Sequence, residues 1–526
     1  MEKTIIYNKV RHASGWCLTV CLTILLPLLT SCDSFLEEYS QDLSKVESWE
    51  DLDELLLGDG YLQTSRFGGN ADIHDNLPII HFMSDELKQN EKDRISDLMS
   101  YHTYMFPYYT WQRELGYNDH MKWMGGDAKY WDFLYERINV VNQIISEIEN
   151  QETLRDSDRE GKERVKGEAC FLRAAYYFLL VNLYGKPYSD ANATQLAVPV
   201  KTTEFIEDIE YEKATVQQVY ARILEDLDMA ETLLQGKTRK SVYRADYNSV
   251  LLFKARVYLY MQDWRNAADY AQKVLDRKSD LLNLNRVSEG TDCIYGTSPE
   301  TIFVMGGYPI AVAFYDVRDT FWGLSRCTWL ISDEMMELFS RDDCRTDLFI
   351  GRTEYGNDYP AFLKVSGQRS AYTKNQTVSD CFTLRTPEAY LIKAEANAYL
   401  GNEREAQDAL HTLLQSRMKK SEPVTASGNE LIQLIRDENA REFLLEGHRW
   451  FDLRRYMVCK GHEYSKTIVH KHLILDGSYL DSYNVYQLEP NDNAYTLPVP
   501  REVSKFQVSL ASNDRPDRKV IETGSY

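Results

Sequence analysis

A chain of 526 residues with 81 acidic against 60 basic side chains carries a net charge of −21. That balance argues against nucleic acid as a partner, because binding it requires a basic face that neutralises phosphates. The chain is long enough to bury several layers of core, and length alone would divide it into two or more domains unless helical repeats carry it as one. Its unusual count is 36 tyrosines, which with 19 phenylalanines and 9 tryptophans supply flat faces with polar edges, suited to stacking on sugars or to an ordinary interface.

The first predicted element stands apart from the body. Lys3, Lys9 and Arg11 form a basic start, an apolar run follows from Trp16 to Leu29, and Leu29-Thr30-Ser31-Cys32 closes it with small residues before a cysteine. The run falls short of the roughly 20 residues that a bilayer core requires, and Pro27 would break it. The order resembles the lipobox of bacterial lipoproteins. That resemblance implies that residues 1–31 are a signal peptide, that cleavage precedes Cys32, and that Cys32 carries acyl chains, each buried methylene contributing about 0.8 kcal/mol to the anchor. The stretch Asp33 to Glu38 resembles the acidic signals that send some Gram-negative lipoproteins to the cell surface.

Residues of about 85–123 form the first predicted insertion, aromatic-rich between Tyr101 and Trp123. Within it Asp85-Glu86 follows an apolar run and reads as a helix cap in preference to a catalytic pair. Helical periodicity then begins: Trp131, Tyr135, Ile138 and Asn142 share one face of a first helix. Val165, Ala169, Leu172, Tyr176, Leu179 and Leu183 recur in steps of four and three and mark a buried face on the next. Cys170 on that helix reads as a small buried hydrophobe, and Gly185 and Pro187 stop the run. Thr215 reads as the N-cap of a helix carrying Val219, Ile223, Leu227 and Ala230 in register.

Two later segments, 251–276 and 390–415, align with each other. Ala255 matches Ala394, Tyr260 matches Tyr399, Met261 matches Leu400 and Ala267 matches Ala406, with Gln262-Asp263 or Gly401-Asn402 as the short turn. Small residues there let antiparallel helices approach closely, an arrangement similar to the tetratricopeptide helix pair. The expected fold is mainly α, with about four such pairs within 125–280 and 385–456. A second insertion, 281–382, separates them. In it Thr301 to Met305 reads as a short strand ended by Gly306-Gly307, and the segment has too many large apolar residues to be disordered.

Motifs for chemistry are sparse. A glycan hydrolase needs two carboxylates at about 5–9 Å, and among so many acids no pair is singled out. His462, His470 and His472 with Glu463 match no zinc spacing and read as a solvated loop. Gly125-Gly126 and Gly306-Gly307 lack the lysine of a phosphate loop. No metal or cofactor is called for. Beyond Cys32 lie Cys170, Cys293, Cys327, Cys344, Cys381 and Cys459; the last five are open to pairing in an oxidising compartment, and the sequence does not say which. Glu442, Glu446, Arg449 and Asp452 fall three or four apart, the spacing of a structural ion-pair ladder on a helix.

Two longer motifs carry a family resemblance. Glu168 to Phe178, ending in Asn182-Leu183-Tyr184-Gly185-Lys186-Pro187, and Arg441 to Arg455 resemble the most recognisable segments of the SusD/RagB family of surface lipoproteins; Pro299-Glu300-Thr301-Ile302 and Leu497-Pro498-Val499-Pro500 match two shorter ones. The tail Asp514 to Arg518 departs from the family's usual ending. The resemblance implies a non-enzymatic, glycan-binding lipoprotein of the outer-membrane surface that serves a TonB-dependent, SusC-like transporter. Glycan is expected between the two insertions, on Tyr108, Trp111 and Trp123 from one and Tyr308, Trp322 and Trp329 from the other, although core packing accounts equally for each of these rings. Trp131 is assigned to the core, and the transporter is expected on exposed helix faces near Tyr258 and Tyr399. A hydrolase of the same glycans, or a scaffold without ligand, are the alternatives.

Overall fold

Capping chemistry and apolar spacing set the helices where the periodicity places them. Gln218 N donates to Thr215 Oγ1 at 3.2 Å and Thr215 N donates to Gln218 Oε1 at 2.8 Å, a reciprocal capping box. Asp246 and Ser249 repeat the device for the next helix. The structure, a computed structural model, describes residues 46–62, 79–91, 101–205, 209–288, 293–306, 320–321, 324–325, 329–351, 361–362, 364 and 382–526. Cys32, Tyr308, Trp322, Cys327 and Cys381 lie outside them.

Nine helices build a paired array: α1 Lys129–Glu147, α2 Asp156–Tyr184, α3 Val216–Leu234, α4 Tyr247–Tyr260, α5 Trp264–Leu275, α6 Thr386–Leu400, α7 Glu403–Leu414, α8 Gly428–Glu442 and α9 Arg449–Tyr456. From α1 to α7 each packs on the next, and α5 lies against α6 although the whole second insertion separates them in sequence. Ala255, Ala267, Ala394 and Ala406 are fully buried at the helix contacts, as their small size requires. The two aligned turns use left-handed residues, Gln262 at φ 62 and Gly401 at φ 77. Trp131 is core, Cys170, Cys344 and Cys459 are buried free thiols, and Cys293 is buried as well.

Short strands tie the insertions to this array. β1 Leu87–Gln89 pairs antiparallel with β3 Trp329–Ile331, and β2 Thr301–Met305 pairs with β4 Phe382–Arg385, which runs directly into α6. β5 Ile468–Asp476, β6 Tyr479–Leu488 and β7 Glu522–Ser525 form an antiparallel sheet in the order β7-β6-β5. His470 and His472 sit on β5 with 3% and 1% exposure, so the solvated loop expected for them is corrected to a buried strand face.

The expected ladder from Glu442 to Asp452 is also corrected. Helix α8 ends at Glu442, Leu445 and Gly447 take positive φ of 54° and 81°, and a new helix starts at Arg449. The break turns the acids inward, toward arginines from other elements. Arg345 meets Glu438 at 2.7 Å, Glu442 at 2.9 Å and Asp343 at 2.8 Å. Arg417 meets Glu300 at 2.7 Å and Glu442 at 2.9 Å. Arg385 pairs with Glu446 at 2.8 Å and with Glu442, and Lys364 with Glu446. Burial alone would raise the Glu442 carboxyl, but Arg417, Arg385 and Arg345 outweigh it and hold it well below the ordinary carboxylate range. Burial pushes Lys364 down to about 8 against the attraction of Glu446.

Removing one partner from such an array strands buried charge. Glu442→Gln is expected to cost about 3–5 kcal/mol in urea unfolding at pH 7. Because Glu442 and Glu446 titrate below their unfolded value, they contribute stability above a pH of about 4.3 that is lost as pH falls through their folded values. The variant should therefore lose less stability between about pH 5 and 3 than the parent; equal losses would contradict this assignment.

Candidate functional site

The two insertions do meet, through the β1–β3 pairing, but three of the four predicted rings among the described residues are buried. His470 stacks on Tyr109 at 4.0 Å and 10° and on Trp111 at 4.4 Å and 20°. Trp329 sets its ring edge-on to Phe82 and Tyr109, each at 4.7 Å, and Trp111 Nε1 donates to Met83 O at 2.9 Å. Burial pulls His470 down to about 4, so its ring is neutral at pH 7 and stacks without desolvating a charge. Trp111 and Trp329 are 0% exposed and Tyr108 3%. Their expected place on a sugar is corrected to core packing: no ring face of these three is open to solvent.

Trp123 is different, with 38% of its surface exposed. Its ring meets Tyr117 at 5.0 Å in an edge contact, the Arg501 guanidinium lies 5.6 Å from its centroid, and a backbone bridge joins Tyr117 to Trp123. The loop between them closes on Asn118, whose Oδ1 accepts from His120 N at 3.0 Å and Lys122 N at 2.8 Å. Gly116 lies under the indole so closely that a Cβ there would come within 2.1 Å of the ring.

Arg501 also lines a groove of about 330 Å³ with Arg113, Asp127, Asn513 and Arg515. Arg501 N donates to Asp127 Oδ2 at 3.0 Å, and Asn513 Nδ2 to Leu497 O at 2.6 Å. Arg515 is buried, its pKa pulled down to about 9 by desolvation and by Arg518; its Nη2 donates to Ala494 O at 3.2 Å, while Nε and Nη1 have no partner among the described residues. The face thus combines an aromatic plane with guanidinium, carboxamide and carboxylate edges. Sequence reasoning found Trp123 and missed the tail residues, because nothing in Pro498–Arg515 signals that this strip returns to the first insertion. A larger recess, about 660 Å³, lies where the 186–192 loop meets the α4–α5 turn.

The candidate acids are bound up elsewhere. Asp85 is held by Arg449 at 2.8 Å and Lys466 at 2.7 Å, which overcome burial and keep it far below the usual carboxylate range. Glu86 accepts from Ser84 Oγ at 2.9 Å and from Leu445 N at 2.6 Å. The expected helix cap at Asp85-Glu86 is therefore corrected to a long-range clamp on the α8–α9 break. Among the described residues, no group of three or more His, Cys, Asp or Glu side chains is placed to hold a metal.

Comparison with known proteins matches residues 73–259 to a SusD-like family described as starch-binding, associating with the outer membrane, and residues 351–513 to the SusD family itself. Among solved structures, a SusD superfamily protein from Bacteroides thetaiotaomicron superposes with a TM-score of 0.68 at 19% identity, covering 89% of this chain and 100% of its own. A SusD-like carbohydrate binding protein from Bacteroides vulgatus gives 0.66 at 19% identity, with 88% and 97% covered. One described as a putative sugar binding protein from the same species gives 0.64 at 18%, with 89% and 99% covered. No curated protein matches the chain.

The two tryptophans should separate in a stability assay. Trp111→Ala is expected to cost about 3–5 kcal/mol, the toll of a large core cavity, and Trp123→Ala about 1 kcal/mol or less. Gly116→Ala should leave the fold intact but displace the indole, seen as a shifted Trp123 emission in a variant that keeps that ring as its reporter; an unshifted spectrum would contradict the packing described.

Proposed function

The chain belongs to the SusD/RagB family, and on that premise we propose that it captures oligo- or polysaccharide at the cell surface and passes it to a TonB-dependent transporter without cleaving it. The observation that carries the reading is the exposed indole of Trp123 beside Arg501, which also lines a polar groove, on a body that matches sugar-binding structures along nearly its whole length. Pyranose rings present C–H faces that stack on an aromatic plane, and their hydroxyls need donors and acceptors at its edge to replace water; Arg501, Asp127 and Asn513 supply both. Tyr308 and Trp322 of the second insertion remain proposed contributors.

Support for capture over hydrolysis comes from the acids at Asp85 and in the 442–446 segment. Asp85, Glu442 and Glu446 are each ion-paired and held ionised, whereas a general acid needs a raised pKa. Weak, reversible binding suits a protein that hands its ligand on. Acylation at Cys32 is proposed as the membrane attachment, which raises the local concentration of a partner in the same membrane; no helix among the described residues is long and apolar enough to cross one. Transporter docking is proposed on the repeat face near Tyr258, a half-buried ring stacked on Tyr270. The Tyr399 ring is covered by Trp264 and His462 and cannot contribute its face.

A soluble form beginning after Cys32, titrated against a polysaccharide panel, should bind at least one glycan and release no new reducing ends on long incubation. Trp123→Ala should weaken that binding roughly tenfold, about 1.4 kcal/mol. Steady product formation abolished by a single carboxylate substitution would favour a hydrolase, and unchanged affinity in the variant would remove the site from Trp123.

A further inference from the structure

The 660 Å³ recess lies away from both insertions and is built more deliberately than a surface dent. Its wall is pinned by Gln262, a left-handed residue at φ 62 where the aligned turn uses glycine. A non-glycine residue in that conformation costs on the order of 1 kcal/mol, and here the side chain offsets the strain. Gln262 Nε2 donates to Tyr188 O at 3.1 Å and to Val458 O at 2.9 Å, and its Oε1 accepts from Lys460 N at 2.9 Å. One carboxamide thus holds together the 186–192 loop, the α4–α5 turn and the segment after α9. Two half-buried rings, Tyr188 and Trp264, line the space, each braced from behind at 5.1 Å, the first by Tyr220 and the second by Tyr399.

Two cations at the floor lack a carboxylate partner, Lys186 in the lining and Arg454 buried next to it. Lys186 Nζ donates to Asn493 Oδ1 at 2.8 Å, a neutral partner. Beside it Arg454, 1% exposed, donates to Gly185 O through Nη2, while its Nε and Nη1 have no partner among the described residues. Thr496 Oγ1, also lining the recess and buried, has none either. Each carboxylate that lines the recess already has a partner: Asp492 pairs with Arg518 at 2.9 Å, Asp190 with Lys460 at 2.9 Å, and Glu463 accepts from Gly461 N at 3.2 Å. Burial pulls both Lys186 and Arg454 below their ordinary pKa values, and the neighbouring Arg454 adds to the shift of Lys186. A buried guanidinium with open donors is costly unless something anionic or strongly accepting completes it.

We propose that this recess is a second binding site, specific for a sugar unit bearing a carboxylate, with the ring stacked on Trp264 or Tyr188 and the carboxylate directed to Lys186 and Thr496 above Arg454. The aromatic walls and surrounding amides fit a pyranose; Lys186 and Arg454, bonded only to neutral acceptors, add the demand for negative charge, which a neutral hexose cannot meet. The site is independent of Trp123 and goes beyond neutral glycan capture there.

The test uses the soluble chain carrying Trp123→Ala, so that the first site is weakened, with ligand-observed NMR titrations of methyl glucuronoside, methyl glucoside and a short aspartate-rich peptide, and the second site read from the Lys186 and Tyr188 variants in that background. The glucuronoside should bind roughly tenfold or more tightly than the glucoside, the margin expected from hydrogen bonds to a charged group. Lys186→Gln, at a half-buried side chain whose loss spares the fold, should erase that preference, and Tyr188→Ala should weaken both sugars; far-UV circular dichroism confirms folding in each. Equal affinities, an undiminished preference in Lys186→Gln, absence of glucuronoside binding, or tighter binding of the peptide would each overturn the proposal. Because Trp123 is absent throughout, none of these outcomes bears on the first site.

Discussion

Three guanidinium groups, from Arg345, Arg385 and Arg417, converge on the single carboxylate of Glu442, and much of the molecule is arranged around that meeting. Arg385 ends β4, Arg345 opens a short helix in the second insertion, Arg417 follows α7, and Glu442 closes α8. Four chain segments far apart in sequence are joined at one point from which water is excluded. Buried charges in this number stabilise only when every one is matched, since each loses its hydration on folding. The array is therefore a registration device: strand β4 cannot slip by one residue without turning Arg385 away from Glu442 and Glu446.

That constraint explains how an irregular insertion becomes a usable scaffold. The helical pairs bury their own faces by close alanine contacts and need no help. The insertions lack such periodicity and are held by charge and aromatic stacking, through Asp85 on Arg449 and the Tyr109, His470 and Trp111 sandwich. Rings spent on cohesion are unavailable to ligand, so of the four predicted platform rings among the described residues only Trp123 keeps an exposed face. The same economy fixes Asp85, Glu442 and Glu446 in the ionised state, because each is committed to an arginine.

The helical array was legible in the sequence because its determinants are local: caps, steps of three and four, and small residues at paired positions. Thr301 to Met305 was legible for the same reason. The α8–α9 break was not, since Glu442, Glu446, Arg449 and Asp452 keep helical spacing while Leu445 and Gly447 reverse the backbone between them. Strand β5 was hidden by chemistry: its inward face is Ile468, His470 and His472, and histidine counts as polar in any alternation pattern until burial has neutralised it. Aromatic composition pointed to a sugar platform but could not sort Trp111 from Trp123, whose fates depend on partners hundreds of residues away. Arg501 and Arg515 carried no signal, because contact with the first insertion arises only from the closing path of the tail.

The claim that the buried array fastens insertion to repeats is tested most directly by native-state hydrogen exchange on Arg385→Met beside the parent chain. The account predicts faster exchange in β2, β4 and residues 443–448, with the amides of α2 and α3 retaining their protection, because the helical pairs stand on their own packing. Unchanged exchange across β2 and β4 would contradict it, as would uniform acceleration through every helix.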